Sequence, residues 1–143
     1  NLLFIDDYAQ GATRIKAALL ALKNTFPDKN IKVFYEPHAS FLQHRSNLKE
    51  LSTVFNIASE IVIYRLKFIP SQKASDRLCA KDYLSTIPHS LYIPLRGNVL
   101  KHYQNTLKSG DILIHFSSGG EEGLITFQKI IRFFKKNNVK INY

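Results

Sequence analysis

Chemistry-bearing residues cluster at a few places in this sequence. The first is Asp6-Asp7-Tyr8-Ala9-Gln10-Gly11, where two carboxylates follow directly on an apolar run. Such a pair can take Mg²⁺ through oxygen, accept ribose hydroxyls, or cap the next helix. Two anions would repel a pyrophosphate, and no Gly-x-Gly-x-x-Gly pattern is present to cradle one. The second place is Glu36-Pro37-His38, continued by Gln43-His44-Arg45. Imidazole and guanidinium groups there suit an anionic ligand or a carboxylate, and a Pro-bounded loop with surface histidines is the plainer alternative. His38 and His44 have no further Cys or His at metal-ligand spacing. The third is Ser117-Ser118-Gly119-Gly120-Glu121-Glu122, small residues before a helical pattern. Its hydroxyls and backbone N–H groups could grip a carboxylate or phosphate. The two glutamates favour a ligand that also offers an ammonium group, and they also complement a helix dipole. Cys79 lies in an amphipathic stretch and is expected in the core rather than acting as a nucleophile.

These places matter because of the elements that must hold them. Short apolar runs at Leu2–Ile5, Ile31–Tyr35, Ile61–Tyr64, Leu91–Ile93, Asp111–Phe116 and Val139–Asn142 read as strands. Between them, helical spacing predicts helices over Thr13–Phe26, Ser46–Ala58, Asp76–Ser85, a segment capped by Asn98, and a segment carrying Leu124, Phe127, Ile131 and Phe134. Ser46 is the expected N-cap of the second. Alternating β and α units with unbroken apolar strands predict an α/β fold. It should be a doubly wound, mostly parallel, Rossmann-like sheet of about six strands with helices on both faces. In such sheets ligands sit beyond the carboxyl ends of the strands. The loops to inspect are therefore Asp6–Ala12, Glu36–Arg45, Arg65–Pro70, Pro94–Asn98 and Phe116–Gly123. An acidic pair after the first strand also suits a receiver domain. That fold wants an Asp after the third strand and a Lys after the fifth, where this chain has Tyr64-Arg65 and Phe116-Ser117-Ser118.

Composition sets outer bounds. The 143 residues are 45% hydrophobic, enough for one folded domain over 1–143 and too apolar for a disordered tail. The sequence holds no apolar run of membrane-spanning length, so no membrane association is expected. With one cysteine, no internal disulfide forms, which fits a reducing compartment. The net charge of +9 invites a nucleic-acid reading. The cations are spread along the chain, and the densest group, Lys129 to Lys140, suits a solvated helix end. No nucleic-acid partner is expected. The chain opens on Asn1 and contains no Met, so it is expected to be part of a longer protein.

Several of these residues together resemble a known family. Phe4-Ile5-Asp6-Asp7-Tyr8-Ala9 before a Thr13-initiated helix, Val33-Phe34-Tyr35-Glu36-Pro37-His38, Gly110-Asp111-Ile112-Leu113-Ile114 and the Ser-Ser-Gly-Gly turn are similar to the C-terminal domain of Mur ligases. These are ATP-dependent amide ligases of peptidoglycan synthesis. The resemblance runs from Leu2 to Phe134. The Asp-Asp-Tyr and Pro-His features point to the branch acting directly on UDP-N-acetylmuramate, to which L-alanine or a recycled peptide is added.

The resemblance implies a cytoplasmic enzyme using ATP and Mg²⁺, both bound mainly by a central domain outside this chain. N-terminal and central domains of the same protein are the implied partners. Asp7, with Tyr8 and Gln10, would meet the nucleotide. His38, His44, Arg45, Ser117 and Ser118 would hold the incoming amino acid or peptide. No catalytic residue and no metal ligand is expected here, and the chain alone, lacking Gly-x-x-x-x-Gly-Lys-Ser/Thr, is expected to be inactive. Two departures stand out: Gln10-Gly11-Ala12 replaces the family's His-His-Pro, and Ala39 replaces an arginine. Losing that arginine removes a bidentate carboxylate clamp. A non-catalytic, ligase-like binding module is the alternative this leaves open.

Overall fold

The computed structural model describes residues 1–37, 44–117, 120–137 and 139–142. Their strands are β1 (Leu2–Asp7), β2 (Ile31–Tyr35), β3 (Glu60–Ile63), β4 (Ser90–Tyr92), β5 (Ile112–Phe116) and β6 (Ile141–Asn142). Helices α1 (Ala12–Thr25), α2 (Ser46–Phe55), α3 (Ala80–Thr86), α4 (Arg96–Thr106) and α5 (Glu121–Lys136) alternate with them. The sheet order is β4-β3-β2-β5-β1-β6, and every pairing is parallel. The expected fold class therefore stands.

Period-2 alternation in the strands builds a core on each face. Leu3, Ile31, Val33, Tyr35, Ile61, Ile63, Ile112, Ile114 and Phe116 point to one side, where Ile15 and Leu19 of α1 and Leu48, Leu51 and Phe55 of α2 cover them. Leu2, Phe4, Phe34, Val62, Tyr64 and Leu113 point to the other, under Val99 and Tyr103 of α4 and Phe127, Ile130 and Phe134 of α5. The chain leaves β1, builds β2, β3 and β4 outward, then returns to insert β5 between β2 and β1. That insertion makes a topological switch point, which opens a crevice at the carboxyl ends of the strands.

Several local expectations change. Ser46 is the first residue of α2 rather than its cap; Arg45 precedes it with helical dihedrals and no side chain caps the start. Asn98 lies inside α4, which begins at Arg96 behind Leu95. The helix expected over Asp76–Ser85 is a 3₁₀ turn at Ala74–Asp76 and then α3, with Arg77, Leu78 and Cys79 extended between them. Burial of Leu78 in the core accounts for the break. The Asp82 carboxylate then accepts the Cys79 N–H at 2.8 Å and starts α3. Cys79 itself is exposed and free, which overturns its core assignment.

Candidate functional site

Beyond the last residue of β2, the Glu36 N–H still donates to the Phe116 carbonyl at 2.9 Å. Pairing thus runs one step past Tyr35, and the alternation turns Glu36 beneath the start of α5. There its residue exposure is 1%. Two glycines make the room. A Cβ on Gly123 would overlap Glu36 Oε2 and stand 2.9 Å from His115 Nε2. A Cβ on Gly120 would sit 3.0 and 3.1 Å from the two carboxylate oxygens and 3.2 Å from Lys67 Nζ. Close approach of α5 to the carboxylate requires the missing side chains. Neither Glu36 oxygen has a hydrogen-bond partner among the described residues. Burial pushes its pKa up; Lys67, His115, the Gly123 amide (short of a formed hydrogen bond) and Arg65 pull it partly back.

His115 of β5 stands beside it, fully buried. The ring is stacked between Phe34 and Phe127, with centroids at 4.9 and 5.1 Å. Its Nδ1 lies 2.7 Å from Asp6 Oδ1 at the end of β1. A carboxylate oxygen accepts, so this contact is a donation from His115 Nδ1–H to Asp6. The ring's Nε2 is likewise buried without a hydrogen-bond partner among the described residues.

Over Glu36 opens a cleft of about 610 Å³, walled by Arg65, Leu66, Lys67 and Phe68 after β3 and by Gly120, Glu121 and Glu122 at the head of α5. Glu122 takes Arg65 at 3.4 Å and also pairs with Arg96. Arg65 has φ of +20°, an uncommon backbone state for a non-glycine residue. The cleft thus offers both signs of charge at the switch point.

The residues expected from sequence fall elsewhere on the same edge. Asp7 and Tyr8 line a separate groove of about 400 Å³ with Arg14, Ala17 and Ala18 of α1. Asp7 Oδ1 accepts the Ala9 N–H at 2.7 Å, which shapes the turn. Tyr8 is 60% exposed, and Gln10 is exposed on the same loop. Ser117 is buried, and its N–H donates to the Asp7 carbonyl at 3.2 Å. The Arg45 guanidinium donates to Asp82 at 2.8 Å, to the Arg77 carbonyl at 3.0 Å and to the Ser75 carbonyl at 3.3 Å. Arg45 therefore ties α2 to the approach of α3. The Cys79 N–H first, and Arg45 second, lower the Asp82 pKa to about 2. His44 borders another groove with Ser71, Gln72, Lys73 and Asp76. His38 and Ser118 lie outside the described residues.

Sequence reasoning singled out the loops that form the main cleft but missed Arg65 and Lys67 within them and His115 in the strand before the last of them, and treated Glu36 only as part of its loop. The available signal was a charged residue at or just past the ends of β1, β2 and β3. Among the described residues no three His, Cys, Asp or Glu side chains gather to hold a metal.

No protein-family model matches the chain. In sequence it is 26% identical over 121 residues to a UDP-N-acetylmuramate–L-alanine ligase of Desulfitobacterium hafniense (strain Y51), covering 82% of this chain and 27% of that protein. In structure it matches a murein peptide ligase of Psychrobacter arcticus 273-4, with a TM-score of 0.71, 20% identity, and coverage of 97% of this chain and 28% of that one. A MurF ligase of Thermotoga maritima in complex with ADP matches at TM-score 0.58 and 14% identity, over 90% of this chain and 26% of that one. The chain spans about a quarter of the length of these proteins. Its sequence is similar to that of UDP-N-acetylmuramate–L-alanine ligases, and its fold is one found in Mur ligases.

Proposed function

We propose that this chain is the C-terminal domain of an ATP-dependent UDP-N-acetylmuramate–L-alanine ligase of peptidoglycan synthesis, working in the cytoplasm. The observation that carries the reading is the similarity to such ligases along 82% of the chain. The mixed-charge cleft at the switch point supports it. ATP supplies the phosphoryl group that activates the sugar nucleotide's carboxyl, on a central domain outside this chain.

Within the chain, the Asp7 groove would meet the nucleotide. With Oδ1 occupied by the Ala9 N–H, Oδ2 remains to accept a ribose hydroxyl, and Tyr8 and Arg14 flank it. The main cleft would hold the incoming amino acid near the activated carboxyl. Closure of the domain would align the two and exclude water, the usual work of a moving lid. The positive charge on the outer surface would help draw in an anionic sugar nucleotide.

A murein peptide ligase is the second reading, favoured by the fold match to that enzyme and by a cleft of about 610 Å³, roomy for a peptide. Phosphate release by the complete protein separates them. With UDP-N-acetylmuramate and ATP, stimulation by L-alanine supports the first reading and stimulation by tripeptide the second. No stimulation by either leaves the non-catalytic binding module.

A further inference from the structure

We infer that a second crevice, between the segment after β3 and the approach to α3, binds a small carboxylate with an apolar body of a few carbons, held by Arg77. The crevice measures about 250 Å³ and lies beside the main cleft, with Leu66, Lys67 and Phe68 walling both. Ile69, Leu78 and Tyr92 add apolar surface. At roughly 30 Å³ for each water-sized group there is room for about eight, the size of a carboxylate with a short chain. The charged residues of the wall are Lys67 and Arg77, and no acid lines it among the described residues. The lining therefore favours an anion.

Arg77 is placed for such a ligand. Its guanidinium lies over the Phe68 ring, 4.6 Å from the centroid. Stacking on the ring face holds the guanidinium plane and leaves its N–H edge for an acceptor. Arg77 joins no ion pair among the described residues. Its Nε is buried there without a hydrogen-bond partner, whereas the side chain as a whole is half-buried. The acids of the same stretch bond elsewhere. Asp76 Oδ1 accepts the Ser75 hydroxyl at 3.1 Å, and Asp82 holds Arg45 and the Cys79 N–H. A ligand carboxylate would match the guanidinium with two parallel hydrogen bonds and supply the missing countercharge. Its apolar body would fill the space against Leu66, Ile69 and Leu78. A phosphate dianion would bring a second charge to the same apolar wall, at a desolvation cost that Lys67 alone must offset. The site stands apart from the cleft proposed for the incoming amino acid, so it holds whatever reaction the complete protein performs.

The test uses the 143-residue chain, which holds both cores of its sheet within itself. Cys79 is free, exposed, the single cysteine, and part of the crevice wall. Its alkylation by iodoacetamide, followed by mass spectrometry, therefore reports whether the crevice is filled. Pentanoate should slow alkylation in a saturable way. Affinity should rise by about fourfold for each CH₂ added from acetate to pentanoate. Phosphate has charge without an apolar body, and pentanamide has the body without charge. Each should protect at least about tenfold less well than pentanoate. Arg77→Met should weaken pentanoate by about tenfold or more, the worth of a charge-assisted hydrogen bond. Phe68 is 69% exposed, so Phe68→Ala leaves the core intact. Losing the stack should weaken pentanoate by about threefold. The proposal is overturned by no saturable protection, by equal protection from phosphate or pentanamide, or by undiminished protection in a folded Arg77→Met or in Phe68→Ala. No ligase assay enters, so the site and the ligase reading can fail separately.

Discussion

A carboxylate held out of water without a bonded partner costs free energy, and at Glu36 the cost depends on pH. Burial favours the neutral acid, so its pKa in the folded chain lies above the unfolded value. The stability tied to protonated Glu36 is full below the unfolded pKa, about 4.3, and is lost as pH rises through the raised folded pKa. Glu36→Gln does not ionise and escapes that loss. Urea unfolding should find it more stable than the parent at pH 7, by on the order of 1 kcal/mol, and the gap should close near pH 4. A gap that is the same at both pH values would mean that Glu36 is not the titrating group. Gly123 is bound to the same carboxylate by space. Gly123→Ala gains about 1 kcal/mol of helix propensity. It forces a methyl into Glu36 Oε2 and His115 Nε2, and overpacking costs about 1–3 kcal/mol. The expected net is destabilisation, and a smaller loss in a Glu36→Ala background would show the coupling in a double-mutant cycle.

At the scale of elements, α2 and α3 are joined through Arg45 and Asp82. Asp82 starts α3 by taking the Cys79 N–H and holds the Arg45 guanidinium at 2.8 Å. Asp82→Ala should cost about 1–2 kcal/mol at neutral pH, as lost helix-start bonds do. Because its folded pKa is lowered to about 2, the contribution is present above the unfolded value and fades as pH falls through that point. Denaturation curves at pH 6 and at pH 2.5 would check this; an unchanged difference would count against it. The helix bodies were legible from the sequence because apolar spacing reports which face is buried: Ile15 and Leu19 of α1 and Leu48, Leu51 and Phe55 of α2 are all in the core. The caps were not. Ser46 and Asn98 have capping side chains, but packing begins those helices one and three residues earlier. The Asp76–Ser85 pattern failed likewise, since burying Leu78 required an extended step.

At the scale of the molecule, the proposed enzyme divides its work along one sheet edge, nucleotide at the α1 groove and amine at the main cleft. Asp7→Asn keeps an acceptor for the Ala9 N–H but loses the charge offered to a ribose. In the complete protein it should raise the KM for ATP by about tenfold or more with little change in thermal stability. An unchanged ATP KM would remove the ribose role. The isolated chain should release no phosphate from ATP, and measurable turnover would contradict the division. No helix among the described residues is long and apolar enough to cross a membrane.

The sequence by itself determined the βα alternation, the parallel sheet, both buried faces and the set of strand-end loops where chemistry belongs. Those follow from local periodicity, which the chain carries within a dozen residues at a time. Only the tertiary structure decided which strand-end residues meet. Asp6 and His115 are 109 positions apart, and Glu36 joins them because β5 enters between β1 and β2. Strand order is set by how whole elements pack, so no spacing in the sequence encodes that the last long strand delivers a histidine to the first two. For the same reason the sequence does not show that Arg45, a candidate for holding a ligand's carboxylate, bonds to Asp82, 37 positions away.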